Sequence, residues 1–214
     1  MPQIVETTVF RLDELSEQAR DKARDWYREA SAHDDWHECV FDDFETVCAI
    51  LGVRLKTRSV RLFGGGTRQK PCVWFSGFAS QGDGASFEGS YSLAKGSPKA
   101  IRAHAPPDSE LHRIADALQA IQRRNFYQLC ADISQRGRYY HENSMSITVE
   151  RDSPNNQDMA ADAEDTLIEL LRDLARWLYR QLEREYEYQT SNEVTDEAIL
   201  ANEYTFTDEG RRFG

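Results

Sequence analysis

Long apolar runs are missing from this sequence. None reaches the roughly 18 residues that a membrane-spanning helix needs, so no membrane span is expected. A basic segment followed by a short apolar one is also missing from the opening MPQIVETTVFRL, so no secretory leader is expected and the cytoplasm is the expected compartment. Cysteine is sparse. Cys39, Cys48, Cys72 and Cys130 form no C-x-x-C pair, and their spacing suits neither a zinc site nor a disulfide framework. They are expected as buried, reduced thiols. Positive charge is short: 26 lysines and arginines stand against 37 acids, a net charge of −11. That balance disfavours direct nucleic-acid binding, which draws its affinity from displaced counterions. It is compatible with a basic protein or the DNA-binding surface of another protein as partner, and by default with no partner at all.

What is present is a 214-residue chain, 40% hydrophobic and 11% aromatic, enough to build a core. The pattern predicts a strand over residues 3–11. A helix follows behind an N-cap at Ser16, with Ala19, Ala23, Trp26 and Tyr27 on one face. A second helix is predicted over 35–51, stopped by Gly52. Period-two alternation at Val53, Leu55, Val60 and Leu62 then gives one or two strands, and Gly64, Gly65 and Gly66 a turn. Residues 73–78 and 86–93 read as an antiparallel hairpin with a long or bulged connection. Residues 95–107 read as loop. A helix follows with Asp108 or Ser109 as cap and Leu111, Ile114, Ala115, Leu118 and Ile121 as its buried stripe. A short helix is predicted over 126–133 and a strand over 138–150, with Tyr140, Met145, Ile147 and Val149 facing the core. Residues 152–158 form a polar loop. The longest helix covers 162–188, about 40 Å at 1.5 Å per residue, and a short one covers 196–202. Strands and helices mix without a βαβ rhythm, so the expected fold is a single α+β domain, an antiparallel sheet with helices packed on it.

Two features carry functional hypotheses. Residues 76–89, SGFASQGDGASFEG, hold four glycines among small polar residues. Asp83 can cap such a turn with its own carboxylate, and the free amides can cradle an anion. A bulged hairpin would need the same glycines for purely architectural reasons. The segment is no P-loop, and its glycines do not match the dinucleotide fingerprint. The second feature is charge segregation. Residues 33–46 carry Asp34, Asp35, Glu38, Asp42, Asp43 and Glu45 without a base, whereas 54–70 carry Arg54, Lys56, Arg58, Arg61, Arg68 and Lys70 without an acid. Such runs can simply be a solvated helix face and a guarded edge strand. Alternatively, Arg58, Arg61, Arg68, Ser80, Gln81, Asp83, Ser86 and Tyr140 bind a ligand or partner, and Asp34, Asp35, Glu38, Asp42 and Asp43 offer an acidic partner surface. Other arrangements are weaker. His33 and His37 lack the H-E-x-x-H order of a zinc site. Ser76, Ser80 or Ser86 with His104 or His141 has no G-x-S-x-G elbow. Tyr139, Tyr140 and His141 suit base stacking or cross-strand packing equally. No cofactor or metal is expected, and no catalytic residue is assigned.

Four segments together carry a resemblance: FRLDELSEQARDKARDWYREA at 10–30, SGFASQGDGASFEGSY at 76–91, KAIRAHAPPDSELHRIADALQ at 99–119 and ANEYTFTDEGRRF at 201–213. They resemble a widespread family of phage and prophage proteins that carries the label "antitoxin of toxin–antitoxin stability system". The resemblance implies a phage accessory protein. The expected function is therefore a non-enzymatic binder that neutralises a host factor, either a defence protein or a small nucleotide signal. The alternatives are an antitoxin against a partner toxin and an enzyme acting on nucleotides or nucleic acid. A homodimer stays open.

Overall fold

The computed structural model describes residues 6–32, 35–155 and 157–214. The fold is α+β, with helices and antiparallel sheets. The chain divides into two compact units, Glu38–Glu183 and a second built from the residues up to His37 with Arg184–Gly214.

Helix α1 is Glu17–Ser31, in the second unit, and α2, Glu38–Leu51, opens the first. Phe44, Val47, Cys48 and Leu51 repeat with helical period and are buried. Gly52 ends α2 at φ 91°, and the chain turns at once into β1, Val53–Leu55. A Cβ on Gly52 would stand 2.1 Å from the Ser92 carbonyl oxygen, so no side chain fits there. Two strands, β2 (Thr57–Arg61) and β3 (Thr67–Pro71), pair as an antiparallel hairpin of their own. The strands β4 (Val73–Phe75) and β5 (Ala85–Phe87) form the second hairpin. The main sheet adds β6 (Gly89–Ser92), β7 (Leu129–Gln135) and β8 (Met145–Arg151) to β1 in the order β1-β6-β7-β8, antiparallel throughout.

Three more helices contribute to this unit: α3 (Ser97–His104), α4 (Ser109–Arg124) and the part of α5 (Ala163–Gln189) that runs to Glu183. Asp108 caps α4, accepting from the Glu110 and Leu111 amides through Oδ1, while its Oδ2 accepts from Trp177 Nε1 at 2.7 Å. The predicted stripe Leu111, Ile114, Ala115, Leu118 and Ile121 is buried, as are Leu167, Leu170, Leu171, Leu174 and Leu178 of α5. Phe44 meets Phe87 edge-on at 5.4 Å in this core.

In the second unit Ser16 caps α1, accepting from the Ala19 amide. Leu12, Leu15, Ala19 and Ala23 pack with Ile199 of α6 (Asn192–Ala201) and with Phe206. Phe206 bridges Phe10 on one side and Arg212 on the other, which closes the unit with two isolated backbone bridges.

Several expectations are corrected. Of residues 3–11, the first three lie outside the described residues, and the others form no strand beyond the bridge at Phe10. Residues 95–107 are not all loop, because Pro98 in the first turn of α3 pre-sets its φ for a helix. Residues 126–133 are not helical. Phe126 and Tyr127 take positive φ and end α4, and β7 then finds partners on both sides in β6 and β8. The strand expected over 138–150 starts only at Met145, behind a 3-10 turn at Glu142–Ser144. Met145 and Val149 are buried, whereas Tyr140 and Ile147 are half-buried. The last helix starts at Asn192, capped by Ser191, rather than at 196. All four cysteines are free, but only Cys48 and Cys72 are buried; Cys39 is exposed and Cys130 partly so. Among the described residues no helix is long and apolar enough to cross a membrane.

Candidate functional site

The glycine-rich segment is the loop between β4 and β5. Asp83 Oδ2 accepts from the backbone amides of Ala79 at 2.9 Å and Ser80 at 2.7 Å, while the Asp83 amide donates to the Ser80 carbonyl. Those backbone bonds, the one from Ser80 foremost, hold the Asp83 carboxyl below its usual pKa. The loop therefore supplies its own anion to the Ala79 and Ser80 amides. Ser76 closes the base. Its hydroxyl accepts from the Gly84 amide at 3.0 Å and donates to the Tyr140 carbonyl at 3.3 Å. A Cβ on Gly84 would lie 3.0 Å from the His141 Cα, so this glycine lets the loop approach residues 139–141. On another side Tyr179 of α5 donates its hydroxyl to the Gly77 carbonyl at 3.0 Å and packs on Phe78.

Ser80 and Gln81 are exposed on this loop and Asp83 is half-buried. Ser86 is fully buried opposite Trp74, and its Oγ has no hydrogen-bond partner, so a ligand at the surface does not reach it. The serine–histidine arrangements find no triad geometry: Ser76 is engaged as stated, His104 bonds Asp43 at 2.8 Å, and His141 Nδ1 stands 3.0 Å from Glu142. His33 lies outside the described residues. Among the described residues no group of three or more His, Cys, Asp or Glu side chains could hold a metal.

The basic run forms the β2–β3 hairpin. Its register places Arg58 opposite Lys70 and Val60 opposite Arg68, with Arg61 opposite Thr67 beside the turn. Like charges directly opposite one another cost stability. Here Glu38 lies 3.2 Å from Lys70 and 3.9 Å from Arg68, which offsets that side of the ladder. Arg58 instead leans over Trp74, 5.8 Å from the ring centroid. Trp74 lies parallel to Tyr140 at 5.7 Å with 7° between the planes. Trp74 thus joins Arg58 and Tyr140, two residues far apart in the chain. Arg58, Arg61 and Arg68 are exposed. At the turn Leu62 is exposed and Phe63 wholly so. An apolar pair at the end of a basic arm is absent from the expected site. Its signal was in the sequence, as two large apolar residues immediately before three glycines, a place where no core can form.

Of the acidic set, Asp34 lies outside the described residues. Asp35, Asp42 and Asp43 are exposed, Asp43 paired with His104, and Glu38 is engaged with the basic arm. The two charge runs thus meet in part.

Residues 139–144 are held from behind. Arg176 of α5 binds Glu142 at 3.2 Å and also pairs with Glu169 and Asp173. Ser144 Oγ donates to the Tyr139 carbonyl at 2.8 Å. Tyr139 is exposed, with Arg138 5.1 Å from its ring centroid. Next to it an open cleft of about 480 Å³ is lined by Arg136, Asn143, Ser146 and Arg172 among others.

Fold and site together define an α+β protein with an exposed basic arm and an aromatic stack at its foot. The chain belongs to the family described as a domain of unknown function, DUF8835, whose model matches residues 36–192. No curated protein and no solved structure matches it significantly.

Proposed function

We propose that the chain is a non-enzymatic binding protein that neutralises a host factor, with the β2–β3 arm as its contact surface. The observation that carries this reading is the arm itself. It exposes Arg58, Arg61 and Arg68 on a chain of net charge −11, and it ends in the exposed pair Leu62 and Phe63. Arginine and aromatic side chains dominate the energetics of protein contacts, and exposing such a pair brings the isolated molecule nothing. The phage resemblance of the four segments supplies the setting, an accessory protein directed at its host. The occupied amides of the Asp83 loop favour the arm over that loop as the point of contact.

The test is capture from host cells by the tagged protein and by the double variant Arg61→Glu, Phe63→Ser. A partner retained by the parent and lost by the folded variant is the expected result. A partner set that is the same for both would overturn the reading.

A further inference from the structure

The arm does not stop at its own strands. From Arg68, opposite Val60 and therefore on the same face of the hairpin as Arg58, it runs to Arg58, from Arg58 onto the Trp74–Tyr140 stack, and on to Tyr139 with Arg138. Beyond Tyr139 lies the cleft lined by Arg136 and Arg172, joined through the Ser144–Tyr139 hydrogen bond. Cations and aromatic rings alternate along this strip. A surface that tracks a phosphate backbone with cations and stacks bases on aromatic faces is the chemistry by which single-stranded nucleic acid is held without sequence preference. Arginine planes can themselves stack on bases, so the Arg58 and Arg138 guanidiniums serve both purposes.

We infer that this strip binds single-stranded nucleic acid. The inference rests on reading the arm as the contact surface and names the ligand it takes. The net acidity of the chain argues against binding over the whole surface, but not here. Residues 54–70 contain no acid, and acids near the strip are engaged: Glu38 with Lys70 and Arg68, Glu142 with Arg176, and Glu169 with Arg172 and Arg176. Acidity elsewhere confines a polyanion to the strip and makes its binding steeply salt-dependent. A duplex buries its bases and cannot use the stacking rings, so the strip selects unpaired strands.

The probes are fluorescein-labelled oligothymidine and oligouridine of about 12 nucleotides, read by anisotropy from about 20 mM salt upward. Saturable binding to either is expected. Arg58→Ala should lower the slope of log affinity against log salt by about 0.7, one phosphate contact on a single strand. Tyr139→Ala should weaken binding about tenfold at fixed salt, and Lys99→Ala on α3 should change nothing. Equal affinity for a blunt duplex, no binding at low salt, or binding indifferent to Arg58→Ala, Arg68→Ala and Tyr139→Ala would each overturn the inference. If the oligonucleotides fail while arm-dependent protein capture survives nuclease treatment, the contact-surface reading stands and this one falls. If both fail, both fall.

Discussion

Arg24 is only 6% exposed, and its guanidinium grips Asp196 with two bonds of 2.7 Å while also reaching Asp21 and Glu17. The bond to Asp196 is the largest influence on Arg24 and raises its pKa further, so the charge stays fixed across all working conditions. Removing Asp196 leaves the buried Arg24 charge with only the exposed Asp21 and Glu17 on one nitrogen, and unmatching a buried charge is the costly way to break an ion pair. Asp196→Ala is therefore expected to lower the stability of its unit by about 3 kcal/mol, measured by denaturant unfolding. Asp196→Asn keeps two hydrogen-bonding atoms and should cost less. Nothing at this position was legible in the sequence. Arg24 and Asp196 are 172 residues apart, and an arginine on α1 reads as solvated until its partner is placed beside it.

At the scale of elements, the junction of α2 with β1 turns on Gly52. Its positive φ and the 2.1 Å approach to the Ser92 carbonyl leave no room for a methyl group. Gly52→Ala should lower the thermal midpoint by several degrees, consistent with a loss of about 1–3 kcal/mol from strain at a special backbone position. This junction was readable because a helical period ended on a glycine and a period of two began after it. The long helix α5 and the stripe of α4 were readable for the same reason, a strong amphipathic repeat. The failures also have physical causes. Residues 95–107 read as loop, yet Pro98 sits in the first turn of α3, where a helix tolerates it. In β7 the residues Leu129, Ala131 and Ile133 alternate, but the expectation followed the helical run before them. Their strand identity comes from β6 and β8 on either side, which a local pattern does not contain. The candidate site was half legible. Arg58 and Tyr140 were singled out, but Trp74, the ring that joins them, reads as one more residue of a hairpin.

For the whole molecule, the acid side of the stability profile follows from carboxylates held below their ordinary pKa values. Hydrogen bonds from the Ser80 and Ala79 amides lower Asp83, Lys56 lowers Glu88, Arg102 lowers Asp116 and Arg124 lowers Asp162. A carboxylate with a depressed folded pKa contributes stability that is present above its unfolded value, near 4, and is lost as pH falls through the folded one. Unfolding free energy should thus be level from about pH 7 to pH 5 and fall below about pH 4. In Glu88→Gln that fall should be shallower, as urea titrations across the range would show. The consequence of the unit closed by Phe206 concerns synthesis rather than the finished chain. The elements of the unit Glu38–Glu183 leave the ribosome in one continuous stretch, whereas α1 must wait for α6 and Phe206. At 5–20 residues per second, the 172 residues between Arg24 and Asp196 take roughly 10–30 s. A lone helix of 15 residues is marginal in water for all of that time. Folding of α1 is thus set by the arrival of α6, and the nascent chain carries Leu12, Leu15 and Trp26 uncovered until Ile199 and Phe206 have emerged.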